Sequence, residues 1–163
     1  MLTKPDNLDT NTESQVDVRG PRFVAWITTA VIIATLLISA VHPTVAAVLL
    51  GLQAVVFAIG AIGGPRRHPY GLVFATLIAP RLAPVTEKEP VPPLKFAQFV
   101  GFLFAVVGTI GFATGLSAVG LIATGFALIA AFLNAAFGIC LGCQIYPLVT
   151  RFRRSPASPA HVG

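Results

Sequence analysis

Residues 116–137 read LSAVGLIATGFALIAAFLNAAF and contain no Asp, Glu, Lys or Arg. Three other stretches share this property: 23–41 (FVAWITTAVIIATLLISAV), 44–62 (TVAAVLLGLQAVVFAIGAI) and 96–114 (FAQFVGFLFAVVGTIGFAT). About 20 apolar residues in a helix cross a hydrocarbon core roughly 30 Å thick. Because such helices have no polar face to turn towards water, lipid is their suitable solvent. The sequence therefore predicts an all-α membrane protein with four transmembrane helices.

The composition agrees with a membrane protein and excludes an ordinary soluble domain. Only 10% of the 163 residues are charged, 55% are hydrophobic, and the mean hydropathy is +0.83. Soluble domains usually carry about 25% charged residues. The net charge of +5 comes from basic residues placed beside the apolar runs. This placement favours the anionic headgroups of a lipid bilayer over nucleic acid as the partner.

Short turns join the first run to the second and the third to the fourth, which predicts two helical hairpins. Pro43 closes the first run, and Gly115 separates the last two. Between the hairpins, residues 70–82 are apolar, too short to span a bilayer and interrupted by Pro80. We expect a short interfacial helix there. Its predicted headgroup anchors are Arg66, Arg67, Tyr70 and Arg81, together with Trp26 of the first run.

The chain is expected to form one membrane domain over residues 21–150. Residues 1–20 are polar and largely acidic, which predicts a disordered cytoplasmic tail, and residues 151–163 are interpreted as a disordered basic cytoplasmic tail. The long acidic lead-in differs from a signal peptide, so the first helix is expected to be retained.

All eleven basic residues lie on one side of the predicted spans: Lys4, Arg19, Arg22, Arg66, Arg67, Arg81, Lys88, Lys95, Arg151, Arg153 and Arg154. The two hairpin tips carry none. The positive-inside rule makes the basic side cytoplasmic, so both termini are expected in the cytoplasm.

The segment Cys140-Leu141-Gly142-Cys143 is the strongest chemical signal in the chain. Cysteines three apart on a helical turn share a face and come within reach of a disulfide. The same spacing lets one thiol attack and the second resolve a mixed disulfide. Cys140 and Cys143 are therefore the candidate catalytic residues.

The predicted position of this pair limits its reactivity. The C-terminal end of the fourth helix disfavours a thiolate. Reactivity would then need a helix break at Gly138 or Gly142, or basic residues after position 150 folding back. A reducing cytoplasm favours the dithiol as the resting state. The alternative is that both cysteines are small residues at a close helix contact.

Other polar residues offer little further chemistry. Asn134 lies about two turns before Cys140 and is expected to face the same groove. Zinc prefers four ligands, whereas the chain offers two thiols and the scattered His42, His68 and His161. We therefore predict no metal and no evident cofactor, although a dimer could bring four cysteines together. The spans lack a carboxylate, which disfavours a proton-coupled transporter.

The segment NAAFGICLGCQIY at residues 134–146 resembles the bacterial membrane family catalogued as domain of unknown function number 4395, as do Gly64-Pro65 and Pro69-Tyr70-Gly71. The resemblance extends from about residue 16 to residue 146. It implies a small multi-span protein of the bacterial cytoplasmic (inner) membrane, often encoded near rhodanese-like and thioredoxin-like proteins, and it supplies no reaction. The motif positions carried over, without roles, are Cys140, Gly142, Cys143 and Tyr146.

Two hypotheses of function follow. In the first, the chain is a thiol-redox or sulfur-transfer partner that acts through Cys140 and Cys143. In the second, it is a non-catalytic subunit or scaffold of a larger membrane assembly, held by close helix contacts at Gly101, Gly108 and Gly111. A small transporter or channel is a weaker third reading.

Overall fold

The structure, a computed structural model, describes residues 15–85 and 87–153. Within them the chain forms helices and one short two-stranded ribbon. The elements are β1 (Gln15–Asp17), α1 (Arg19–Ser39), α2 (Pro43–Gly63), α3 (Pro69–Val73), β2 (Lys88–Pro90), α4 (Val91–Ala113), α5 (Ser117–Phe137) and α6 (Leu141–Arg153). A π-helical turn (Phe74–Ile78) and a 3-10 turn (Ala79–Arg81) follow α3.

Four of these helices, α1, α2, α4 and α5, are long and apolar enough to cross a membrane. Each has 21 to 23 residues, and the most apolar 18-residue window of each has a mean hydropathy of 1.9 to 2.5. The prediction of four membrane-spanning helices is confirmed in number and approximate position. Two helices begin earlier than expected, α1 at Arg19 and α4 at Val91, because prolines at the start of a helix are tolerated.

The two hairpins pack side by side, so that each long helix contacts two others. The contacts run from α1 to α2, from α2 to α4, from α4 to α5 and from α5 back to α1, and those between α2 and α4 are the most extensive. The buried core follows that interface. It consists of Ala46, Ala47, Leu50, Ala54 and Phe57 from α2 and of Ala105 and Phe112 from α4.

Glycines allow the close approach of α4 to its neighbours. A Cβ atom at Gly111 would lie 2.5 Å from the Gly120 backbone nitrogen, and one at Gly108 would lie 2.6 Å from Leu50 Cδ2. A Cβ atom at Gly101 would lie 3.0 Å from the Phe57 ring. The three glycines proposed for assembly with other proteins are therefore used within this chain. The scaffold hypothesis itself stays a prediction.

The segment between the hairpins is helical from Pro69 to Arg81, which confirms the short helix predicted there. Its apolar side chains Leu72, Val73 and Leu77 are exposed on the surface of the chain. An exposed apolar stripe on a short helix suits the membrane interface.

Residues 15–20, which the sequence analysis assigned to a disordered tail, lie in β1, a turn and the start of α1. β1 pairs antiparallel with β2, and the Arg19 side chain forms an ion pair with Asp17 (2.8 Å). A second bond from the Arg19 guanidinium to the Ala83 carbonyl oxygen (3.1 Å) ties this segment to the connection between the hairpins. Residues 1–14 lie outside the described part of the chain.

The C-terminal boundary also differs, because a sixth helix follows the fourth span. α6 runs through Arg153, so residues 151–153 belong to a helix that the sequence analysis did not predict. Residues 154–163 of the predicted basic tail lie outside the described range. An apolar series at Leu141, Ile145, Leu148 and Phe152 recurs every three or four positions, and this signal could have revealed the helix.

We expect Gly111→Ala to destabilise the bundle, because the added methyl group would clash with the α5 backbone. A cost of about 1–3 kcal/mol is typical of overpacking in a close contact. Gly125→Ala is the matched control, since a Cβ atom at Gly125 has no neighbour within 4 Å. Thermal unfolding in detergent should show a lower midpoint for Gly111→Ala alone. Equal midpoints would contradict the close α4–α5 contact.

Candidate functional site: the Cys140–Cys143 turn

The site begins with a sharp break after α5. Gly138 has φ +69°, in the left-handed region that glycine adopts without strain. Its amide donates to the Asn134 carbonyl oxygen (3.1 Å), and the Ile139 amide donates to the Leu133 carbonyl oxygen (3.2 Å). These bonds satisfy the last carbonyl groups of α5 and end the helix. The Arg22 guanidinium donates a long bond to the Ala136 carbonyl oxygen (3.5 Å) at the same helix end.

A new helix starts three residues later, at Leu141, and Cys140 caps it. The Cys140 carbonyl oxygen accepts the first helical bond from the Gln144 amide (3.1 Å). The Cys140 Sγ atom accepts a second bond from the Cys143 amide (3.3 Å). Cys140 therefore takes the N-cap position of α6, where a side-chain acceptor satisfies an amide that has no helical partner.

The two cysteines are paired as a disulfide, with their Cα atoms 5.1 Å apart. This separation lies within the range that a disulfide requires without moving the backbone. Both side chains are partly exposed. The turn can thus place the sulfur atoms in bonding contact while a partner molecule reaches them.

The location of the pair corrects the expectation drawn from the sequence. The cysteines lie at the N-terminus of α6, whereas the C-terminal end of the fourth span was expected. The physical cause is the left-handed conformation of Gly138, which separates the two helices. Amide groups at a helix N-terminus carry a partial positive charge and stabilise a thiolate. The sequence analysis considered a helix break at Gly138 or at Gly142, and in the structure the helix breaks at Gly138.

Gly142 serves instead as the contact between α6 and α4. A Cβ atom at Gly142 would lie 2.5 Å from Ala97 Cα, so the two helix backbones touch at this point. One turn later the Tyr146 ring packs on Phe96, with the ring centroids 5.9 Å apart. Two of the motif residues therefore hold the cysteine-bearing helix against the bundle.

Cys140 and Asn134 line the same cavity, as the sequence analysis expected of these two residues. The cavity, of about 290 Å³, lies between α1, α4, α5 and the start of α6. Its other polar lining residues are Thr28 and Gln98, and its walls are otherwise apolar. Phe104 and Phe126, stacked with their centroids 5.9 Å apart, also line it. We call this space the Cys140 cavity.

A second polar cluster was not predicted. His68 is only 1% exposed, and neither ring nitrogen has a hydrogen-bond partner. Burial lowers the pKa of His68 to about 4, an effect that the nearby Gln98 partly offsets. Gly60 makes room for the ring, since a Cβ atom there would lie 2.6 Å from His68 Cδ2. The sequence signal for this cluster was weak, because a histidine beside two arginines reads as a surface residue.

The predicted headgroup anchors divide into two groups. Arg66, Arg67 and Arg81 are exposed, and Trp26 is 51% exposed on the side of α1. Tyr70 differs, because its hydroxyl donates to the Gln53 Oε1 atom (3.0 Å) within the bundle. Burial also raises the pKa of Tyr70. Its hydroxyl is therefore committed to an internal bond with α2.

His68 lies apart from the cysteine turn. It lines a separate cavity of about 370 Å³ with residues of β1, α1 and α3, and this cavity shares the Gln98 wall with the Cys140 cavity. Within residues 15–85 and 87–153, no three His, Cys, Asp or Glu side chains come together as a metal site. The structure thus brings Asn134 to Cys140 and leaves His68 outside the sulfur site.

We expect the stability of the protein to fall as the pH decreases from about 6.5 to about 4. In this window the unfolded chain protonates His68 while the folded chain keeps it neutral, so protons favour unfolding. The loss approaches about 3 kcal/mol at the lower limit. Thermal midpoints measured in detergent should show this slope, and His68→Gln should reduce it. A variant with the unchanged slope would contradict a neutral, buried His68.

Comparison with known proteins identifies the family. The family model described as "Domain of unknown function (DUF4395)" matches residues 16–151. Searches of curated proteins and of solved structures found no match. The family match covers most of the chain, including all four long apolar helices, the Cys140–Cys143 turn and most of α6. The chain belongs to the DUF4395 family of domains of unknown function.

Proposed function

We propose that this protein is a thiol-redox or sulfur-transfer partner that works at the cytoplasmic face of a bacterial inner membrane. The observation that carries the proposal is the placement of Cys140 at the N-cap of α6, with its sulfur accepting the Cys143 amide. A thiolate at this position is stabilised by the helix, and a second thiol lies one turn away to resolve an intermediate.

The chemistry follows from these two positions. In the oxidised state, a thiolate of a soluble partner attacks the Cys140 sulfur, a mixed disulfide forms, and Cys143 leaves as a thiolate. A second thiolate of the partner then attacks its own sulfur in that bond and releases Cys140. The partner leaves with a disulfide, and the membrane protein becomes a dithiol. The reverse sequence reduces a partner. In the reduced state, the Cys140 thiolate would attack the outer sulfur of a persulfide donor, and the thiolate of the donor would leave.

The orientation is supported by the distribution of charge. The hairpin arrangement puts the start of α1, the end of α2, the start of α4 and the end of α5 at one end of the bundle. The eleven basic residues all lie in the segments joined to that end. By the positive-inside rule this end faces the cytoplasm, and Cys140 lies there too. A soluble thioredoxin-like or rhodanese-like protein is the proposed partner, because the family resemblance implies that such proteins are often encoded nearby.

We expect Cys143→Ser to trap a mixed disulfide through Cys140, whereas Cys140→Ser should trap little. The reason is that the N-cap sulfur attacks and the Cys143 sulfur resolves. The measurement incubates each variant in membranes with an oxidised thioredoxin-like protein and counts covalent adducts on non-reducing gels. Equal trapping by the two variants would contradict these roles.

Accessibility gives an independent check on the same proposal. A membrane-impermeant maleimide should label the reduced cysteines in inverted vesicles and leave them unlabelled in right-side-out vesicles. Oxidation should block the labelling reversibly. Folded protein whose thiols stay inert from both sides would show that the cysteines serve packing, in agreement with the scaffold hypothesis.

A further inference from the structure

We propose that the Cys140 cavity binds a membrane quinone, which oxidises the Cys140–Cys143 dithiol. The inference rests on the proposed thiol-redox function and names the electron acceptor that restores the disulfide. Cys140 forms part of the wall of a cavity inside the membrane-spanning bundle, while Cys143 does not. The cysteine assigned to nucleophilic attack is thus the one that lines the cavity.

The shape and lining of the cavity suit a flat, apolar ring with a lipid tail. Its volume of about 290 Å³ lies near the lower limit of small-molecule sites. Phe126 and Ile129 line it and are also more than half exposed on the outside of α5. An apolar tail can therefore leave the cavity between helices into the lipid, as a ligand arriving from the bilayer requires.

Two residues that line the cavity have buried polar atoms without hydrogen-bond partners, and these atoms could bind the polar ring substituents of a quinone. Thr28 is 2% exposed, and its hydroxyl has no hydrogen-bond partner. This is unusual in the bundle, because Thr29, Thr35, Thr109 and Thr124 each donate to the carbonyl oxygen four residues earlier. Gln98 lies on the wall shared with the His68 cavity, and its Oε1 atom is also buried without a hydrogen-bond partner. Buried polar groups without partners cost free energy, which a ligand can recover.

These groups match both redox states of a quinone. The Thr28 hydroxyl, turned into the cavity by rotation about χ1, can donate to a quinone carbonyl oxygen. The Gln98 Oε1 atom can accept from the hydroxyl group of a hydroquinone. A phospholipid headgroup fits less well, because no Lys or Arg lines the cavity to meet its phosphate.

The reaction balances without another component. The Cys140 sulfur adds to the quinone ring, and the Cys143 sulfur then attacks Cys140. The S–S bond forms, the C–S bond breaks, and its electron pair stays on the ring. Two electrons pass from the thiols to the quinone, and the two thiol protons end on the hydroquinone oxygens. The dithiol becomes a disulfide, and the quinone becomes a hydroquinone.

The first experiment measures binding of a radiolabelled short-chain ubiquinone analogue to protein in lipid nanodiscs, using the Cys140→Ser/Cys143→Ser double variant as background. Binding should saturate. Adding Thr28→Val should raise the Kd about tenfold, as expected for one lost hydrogen bond. Thr29→Val is the matched control, because its hydroxyl is bonded within α1, and it should leave the Kd unchanged. Ala130 of α5 also lines the cavity, so Ala130→Phe should fill the space and abolish binding.

The second experiment follows oxidation of the pre-reduced wild-type protein by the same quinone without oxygen. One hydroquinone should form for each pair of thiols lost, and Ala130→Phe should suppress this reaction while leaving exchange with soluble disulfides intact. Thiols that exchange with soluble disulfides but never reduce the quinone, or binding that does not saturate, would overturn the quinone proposal. Thiols that reduce the quinone but ignore every soluble disulfide would instead leave the quinone site standing and overturn the proposed function.

Discussion

The left-handed turn at Gly138 is the constraint on which the sulfur site depends. It ends α5 through two backbone bonds and lets a new helix begin three residues later. The same cysteines on an uninterrupted α5 would lie among the carbonyl groups of a helix end, which repel a thiolate. With the break, Cys140 meets free amide groups. One residue with a positive φ thus reverses the electrostatic environment of the pair without any change in its spacing.

The membrane-spanning part of the fold was predictable because lipid imposes a simple rule on sequence. A span must be long and free of charge, so 96–114 and 116–137 could be recognised without knowing their neighbours. The interfacial segment was predictable for a similar reason, as Pro80 and the arginines beside it prevent a full span. The spacing of Cys140 and Cys143 marked the candidate site, and the role of these cysteines stays a prediction. The four spans and the interfacial segment, which follow from apolar length and charge alone, were therefore assigned correctly.

The position of the helix break, the burial of His68 and the orientation of Tyr70 could not be predicted, because they depend on tertiary contacts that no local sequence pattern contains. The break falls at Gly138, whereas Gly142 stays helical and contacts Ala97 of α4 so closely that no side chain would fit there. His68 is buried because Gly60, which precedes it by eight positions and lies on another helix, leaves room for its ring. Tyr70 turns inward because Gln53 offers an acceptor. In each case two conformations are locally acceptable, and the residue meets a contact residue that lies on a different element of the fold.

The two hairpins end in the same way, and each of these ends is followed by a polar side chain that lines a cavity. Each long hairpin is followed by a glycine with positive φ, Gly64 or Gly138, and then by a short helix, α3 or α6. His68 comes after the first break and Cys140 after the second, and each lines a cavity that shares Gln98 with the other. In a bundle whose long helices offer almost no ionisable group, a break of this kind is where titratable side chains can be positioned beside buried space. The candidate reactive groups therefore lie just beyond the ends of the two hairpins, where backbone amides freed by the breaks can be satisfied while the apolar spans remain in lipid.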